Sequence, residues 1–550
     1  MATKFLRLIR TRERGSCVVL LLALSAWTAC NNSAEDSAGS AFIPGSAGSG
    51  TNIGNTGNEP AAGTSSSAGS SSLPPEKELD QTFRAPVATG SVLWTANPVS
   101  GRVALIDART LKVRMTNAGF GPTYLAAVPS AAGTDAAIVL NVGSHDATFM
   151  EASADQPISV TTIATHPGAN SWTISDDGHL AIAWTNVTQV PGGAPDPADG
   201  FSEITVIDLG STPPESTRLS VGFRPSQVVF DASKRHAYAV VDEGISVVEL
   251  TGRPRVAALF TVAPLGQAAR DVNIAPDGSF AIVRTNGSAD VQVVDLTAAG
   301  SDPQAITLES DPTDLDLSSD GKTATAVLGN ETPPKVVRFP VPVPGTAAFD
   351  QALIASELVR SVTLAPNDEV AVLYANAVPS NHVTLLDLTS GPEFRFRTVD
   401  LKSPVEQVYV APSSETAITF QLPPAGSQKK GLFSIVPAAP GITRAPKIVA
   451  TDAVPQDVAF SSPAVGRALV TVSDPSSTVH GVYVIGLANL EQNFVNLASQ
   501  PLVGATGIVP DAPIGFVAQK HPEGRITFID LESGLARTLT GFEIAARVVQ

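Results

Sequence analysis

The feature that most limits what this chain can fold into is a strand-and-turn pattern that recurs about every 46 residues from Ser91 onward. One element is a short alternating strand that ends on an acid: Leu105–Asp107, Val206–Asp208, Val247–Glu249, Val293–Asp295, Leu385–Asp387 and Phe528–Asp530. Looser copies lie at 148–151, 336–338, 433–435 and 483–485. The other element is a strand that runs into a polar reversal: Ile174–Gly178, Ile274–Gly278, Leu317–Gly321, Leu364–Asp368 and Val410–Ser414. Asp-Gly and Pro-Asp-Gly supply the backbone freedom that a tight antiparallel turn needs. Ten copies fit between residues 91 and 550. A period in the forties with four short strands per unit predicts an all-β propeller, each unit one radial blade.

Within the fifth unit, Phe280–Asn286, Val291–Leu296 and Gln304–Ser310 read as the second, third and outer strands, and Pro312–Ser319 as the innermost strand of the next blade. On this phasing the array starts at a second strand, Leu93, and ends on an innermost one, Ile544–Gln550. The expectation is one large ring, 82–550, in which the N- and C-terminal strands pair within one blade and so remove a sheet edge. Ten blades exceed the common range of four to eight. Seven or eight regular blades, with repeats eight and nine irregular, is the alternative count.

The second strands read Leu93–Asn97, Val283–Asn286 and Leu373–Asn376. They resemble the Tyr-Val-Thr-Asn strand of the YVTN family, related to lactonase-like propellers. The resemblance spans about 460 of the 550 residues. It implies a fold rather than an activity, because propellers host many functions.

Ahead of the array, a basic head (Lys4, Arg7, Arg10, Arg12, Arg14) precedes an apolar run from Cys17 to about Trp27, too short to span a bilayer permanently. The layout resembles a bacterial lipoprotein signal, which implies cleavage after residue 29 and acylation of Cys30; that family usually has Leu where Trp27 stands. Residues 30–81 are Ser, Gly and Ala rich and read as a flexible linker, with a reach of roughly 40 Å. Asn31 and Asn32 follow Cys30, with no Asp at the position that retains such lipoproteins in the inner membrane, so the resemblance implies an exported, outer-membrane location. Losing residues 1–29 removes five basic residues and one acidic one, taking the net charge from −17 to −21. A chain so acidic is repelled by nucleic acid and by anionic lipid headgroups, which leaves the acyl chains as its membrane contact. Cys17 and Cys30 are the only cysteines, so the body has neither disulfide nor thiol chemistry.

Two sets of residues are candidates for function. Loops from second to third strands share a face with the crossings between blades, and rigid scaffolds carry function on loops. The longest is Val187–Ser202, with Asp196, Asp199 and, just beyond, Glu203; next come Pro423–Lys430, with Lys429 and Lys430, then Ala377–Asn381 and Pro475–Val479. The opposite face has one long insertion, Val341–Gln351. Unselected loop length is the plain alternative. Aligning the innermost strands puts Tyr124, Ser171, Gln227, Asp271, Asp314, Ser361, Gln407 and Asp457 in one register, followed mostly by apolar residues that would wedge between blades. The polar set would gather near the mouth of the central channel, either simply solvated or as oxygen ligands for a cation.

The seven histidines show no ligand spacing and read as surface or turn residues; Trp94, Trp172 and Trp184 fall within strands and read as core. No metal or cofactor is expected. The leading expectation is a non-catalytic, lipid-anchored module that binds a protein, peptide or envelope polymer on its loop-rich face. Two alternatives are a lactonase- or lyase-like enzyme, with Asp271, Asp314 and Asp457 activating water, and a structural envelope spacer.

Overall fold

The computed structural model describes residues 83–545, apart from 131–132, 154–155, 188–200, 263–269, 342–348, 354–356 and 392–393. The signal, Cys30 and the linker lie outside the described residues. Forty strands form ten antiparallel sheets of four, and every sheet takes four consecutive strands in chain order. Blade 1 shows the plan: β1 (Val87–Thr89), β2 (Val92–Asn97), β3 (Arg102–Asp107) and β4 (Val113–Asn117), ordered from innermost to outermost. Blades 2 to 10 follow at 122–164, 171–220, 227–261, 270–307, 314–353, 361–400, 405–451, 454–496 and 501–540. The eighth and ninth are as complete as the rest.

Burial changes along each radius. Every residue of β2 is buried, β4 is mostly half-exposed, and the innermost strands are mostly half-buried, as a solvent-lined axis requires. The period of two in a middle strand serves two interfaces at once. In β2, Leu93 faces one neighbouring blade and Trp94 the other. The buried apolar residues accordingly divide into ten clusters, each shared by two adjacent blades, and the cluster between blades 10 and 1 completes the cycle. The architecture is a ten-bladed β-propeller.

Closure differs from the expectation. Blade 1 supplies its own innermost strand, Val87–Thr89, which pairs with β2 through Val87↔Trp94 and Thr89↔Val92. The C-terminal segment expected to fill that place instead begins with a helical turn, α1 (Phe542–Ala545); residues 546–550 lie outside the described residues. Among the described residues the ring closes by packing. Phe542 meets Phe83 edge to face at 4.9 Å, Glu543 accepts the Asn97 amide at 2.8 Å, and the Asp511 N–H donates to the Gly90 carbonyl at 2.9 Å.

The two repeated sequence elements are turn caps. Where an aspartate ends a third strand it accepts N–H groups of the following turn: Asp107 from Arg109 and Thr110, Asp208 from Gly210, Asp295 from Thr297, Asp387 from Thr389, and Asp530 from Glu532 and Ser533. Asp177, Asp277 and Asp320 do the same in the first-to-second turn. Short carboxylates bonding backbone two residues on are what fix such reversals.

Candidate functional site

Alternating strand directions place the second-to-third loops and the blade crossings on one face. That face exposes large apolar side chains. Val99, Phe120 and Val142 lie on blades 1 and 2, Val378, Leu422 and Val454 on blades 7 to 9, and Val503 on blade 10; Phe120 is 72% and Val503 78% exposed. The opposite face shows only Ile442 and Leu535 among the described residues. The exposed apolar groups thus form an arc over blades 7 to 10, 1 and 2. Val503 stands out because four residues, Leu502–Ala505, oppose the single Ala518 between the pairs Pro501↔Gln519 and Thr506↔Val517. That bulge, with Gly504 at φ +69, pushes the innermost strand of blade 10 outward at the loop face.

The loop residues singled out from sequence behave differently from one another. Asp196 and Asp199 lie outside the described residues. Glu203 starts the third strand of blade 3, half-buried and paired with Ser220. Lys429 donates to Asp452 at 2.5 Å, in the crossing from blade 8 to blade 9, and Lys430 bonds Asp474 and, at 3.2 Å, Ser476 in the second-to-third loop of blade 9, so each lysine is matched by a neighbouring segment. The Lys430 ammonium and the Ser476 and Ser477 hydroxyls hold the Asp474 carboxyl well below the usual carboxylate range. The Val341–Gln351 insertion lies largely outside the described residues.

A cavity of about 230 Å³ opens on the loop face between blades 2 and 3. Tyr124, Leu140, Val142, Ala169 and Phe201 give it apolar walls, and Asn141, His145, Asp146, Thr165, His166 and Asn170 its polar groups. The crossing 118–121 folds over the neighbouring loop: Phe120 lies on Gly143 so closely that a Cβ there would sit 2.1 Å from the ring. His166 is a correction to the expectation of surface or turn histidines. It is fully buried, its Nδ1 2.9 Å from Thr205 Oγ1 and its Nε2 3.2 Å from Thr185 Oγ1. Burial, with a smaller contribution from the Arg218 charge, pushes its pKa down to about 4, so the ring is neutral near pH 7.

The axial register falls on innermost strands as aligned, and several members stitch one blade to the next. Asp314 Oδ2 accepts the Val362 N–H at 2.9 Å, and Asp316 Oδ2 the Leu364 N–H at 3.2 Å. Asp457 Oδ2 accepts the Thr506 N–H at 3.3 Å. Trp172, the residue after Ser171, packs half-buried against the core between blades 2 and 3 and donates its indole N–H to the Tyr124 carbonyl at 3.0 Å. Gln407 accepts the Tyr409 hydroxyl, and Gln227 and Ser361 are half-buried in strand pairs with Val240 and Tyr374. Innermost strands of adjacent blades are not laddered, so these side chains occupy backbone donors and acceptors that would otherwise form an open edge.

Two acids of the register act on each other. Loss of water raises the Asp314 carboxyl to about 6, and Asp271 on the adjacent blade adds to the rise, while Arg284 and the Val362 and Leu315 N–H groups oppose it. Asp271 is raised chiefly by burial, with Arg284 again opposing. Asp457 stands three blades beyond Asp314, bonded to Val458 and Thr506. Among the described residues no three His, Asp or Glu side chains gather as a metal site. Sequence alignment found the register but not its partners, and it missed the cavity, whose walls come from separate segments.

No protein family matches this chain, and no curated protein does. Among solved structures it is similar to a eukaryotic initiation factor (13% identity, 69% of this chain and 90% of that one, TM-score 0.44). It is similar to apo AztD from Citrobacter koseri (14%, 65% and 94%, TM-score 0.38). It is also similar to the dihydro-heme d1 dehydrogenase NirN in complex with DHE (11%, 78% and 75%, TM-score 0.39). Likeness this distant carries no argument about function. The fold rests on this chain's own sheet order and ten shared interfaces.

Proposed function

We propose that this chain is an exported, lipid-anchored β-propeller that holds a protein, peptide or envelope polymer on its loop-bearing face and catalyses no reaction. The observation that carries the reading is the uneven placement of exposed apolar side chains, seven on the loop face against two on the opposite one among the described residues. Apolar groups gathered on one surface mark interaction sites, whereas scattered ones need no explanation. The use of Asp314 and Asp457 to bond backbone N–H groups supports a structural rather than a water-activating role for the axial acids. Within this reading Cys30 carries the acyl chains, the outer membrane is the location, and residues 31–81 are the tether.

The test compares capture from envelope extract by the full chain and by a Phe120→Asp/Val378→Asp/Leu422→Asp variant, with Leu535→Asp as the opposite-face control. Capture lost in the triple variant and kept in the control supports the reading; capture unchanged by all of them refutes it. Palmitate labelling of wild type and Cys30→Ala tests the anchor separately, and equal labelling would remove it.

A further inference from the structure

We infer that the cavity between blades 2 and 3 receives one positively charged side chain, a guanidinium or ammonium group, of the partner that the loop face holds. The inference rests on the binding reading above and names what one part of that face recognises.

Three observations lead to it. The first is charge. Asp146 is half-buried in the lining, and neither a lysine nor an arginine pairs with it among the described residues. Its recorded partner is the Asn141 amide, which donates to Oδ1 at 2.6 Å. Among the described residues no lysine or arginine lines the cavity. The second is hydrogen bonding. Asn141 is 1% exposed, and its Nδ2 donates to both Asp146 and Thr148 Oγ1, which fixes the amide orientation. Its Oδ1 accepts no hydrogen bond among the described residues. A buried acceptor without a donor is destabilising, so a donor that reached it would be favoured. Asp146 thus lacks a cation and Asn141 Oδ1 lacks a donor among the described residues; both are acceptors, and they suit a positively charged ligand that only donates. Guanidinium and ammonium groups donate and never accept, and their permanent positive charge complements the Asp146 carboxylate.

The third is size and wall chemistry. About 230 Å³ is below the roughly 300–1,000 Å³ of pockets for drug-sized molecules. It suits one long side chain rather than a sugar chain or a cofactor. Leu140, Val142 and Ala169 suit an aliphatic stem, and the lining includes two aromatic residues, Tyr124 and Phe201, of the kind that attract a cation. The acidic chain, at −17, draws cationic partners toward it.

The experiment titrates the full-length chain with fluorescent glycine-serine peptides carrying one central arginine, citrulline or leucine. Citrulline keeps the shape of arginine and loses the charge. The expected result is at least tenfold tighter binding of the arginine peptide than of either counterpart. Asp146→Asn, which keeps an oxygen for the Asn141 amide, should bring the arginine peptide down to the citrulline level without changing Tm. Phe201→Ala should weaken the arginine peptide as well. Equal affinity for arginine and citrulline, tightest binding of leucine, or no effect of Asp146→Asn would each overturn the inference. Partner capture that survives Asp146→Asn but fails in the Phe120/Val378/Leu422 variant would overturn this inference alone. Capture indifferent to every loop-face change would overturn the reading beneath it.

Discussion

Closure by packing makes Phe542 a residue on which both ends of the chain depend. Its side chain is 1% exposed, set edge to face against Phe83 at 4.9 Å and lying over Gly524, where a Cβ would come within 2.5 Å of the ring. Phe542→Ala removes a fully buried aromatic, for which about 3–5 kcal/mol is the usual cost. The Phe83–Phe542 pair should contribute about 0.5–1.5 kcal/mol of that as a coupling, measurable by a double-mutant cycle with Phe83→Ala. Urea unfolding of the full chain gives the stability change. Hydrogen exchange tells where it falls, and the two ends should respond together. Amides of 92–107 and of 514–530 should lose protection in step, because the cluster they share includes Phe542 as well as Leu93, Ile106, Phe516 and Phe528. Blades 4 to 6, on the far side of the ring, should keep theirs. A loss below about 1 kcal/mol, with exchange in blade 1 unchanged, would mean that α1 is a frayed end and that blades 10 and 1 hold together without it.

Two further changes test the packing between blades and at the axis. Gly178 has φ +74 and a would-be Cβ only 1.8 Å from the Pro129 carbonyl of the preceding blade, whereas Gly287 has φ +75 with open space around it. Gly287→Ala should cost about 1–2 kcal/mol for the left-handed backbone alone, and Gly178→Ala a further 1–3 kcal/mol or so for overpacking; equal losses in urea would show that the turn glycine does not touch blade 2. Asp314 titrates near 6 in the folded chain, above the ordinary carboxylate range, so between about pH 4 and pH 6 the folded state holds more protons than the unfolded one. Its contribution to stability therefore falls as pH rises through that window. The stability difference, wild type minus Asp314→Asn, should decline from pH 4 to 6 and stay flat above 7; a flat difference throughout would refute the shift.

Much of the fold was legible because the repeat reports the same physics ten times. Short strands such as Leu93–Asn97 alternate between two apolar interfaces, and acids such as Asp107 and Asp295 cap the turns that follow them. Closure was misread for a physical reason. Val87–Thr89 is only three residues long and follows Pro86, so it carries little periodic signal, while Ile544–Gln550 has the apolar content of a strand. The axial register was visible by alignment, yet the Val362 N–H that Asp314 accepts is 48 residues away, and nothing local announces that bond. The cavity was invisible because the 141–146 loop, the 165–170 crossing and Phe201 meet only when two blades pack.

A ring of equivalent blades would present ten equivalent loops and have no reason to prefer one partner over another. Specificity has to come from departures from the repeat. In this chain several of the described departures fall on one face: the Leu502–Ala505 bulge of blade 10, Phe120 lying over Gly143, and the acidic cavity beside it. Blade 1 lies between them, with Val99 61% exposed. The same blades meet at the closure, where the contact between the chain's two ends must be kept intact. Placing these departures there leaves blades 4 to 6, which show no exposed large apolar side chain on the loop face among the described residues, to act as a frame. It also means that a partner bridging blades 10 to 2 would brace the closure, so binding on this face should slow exchange at Leu93 and Phe516, both buried in the core beneath it.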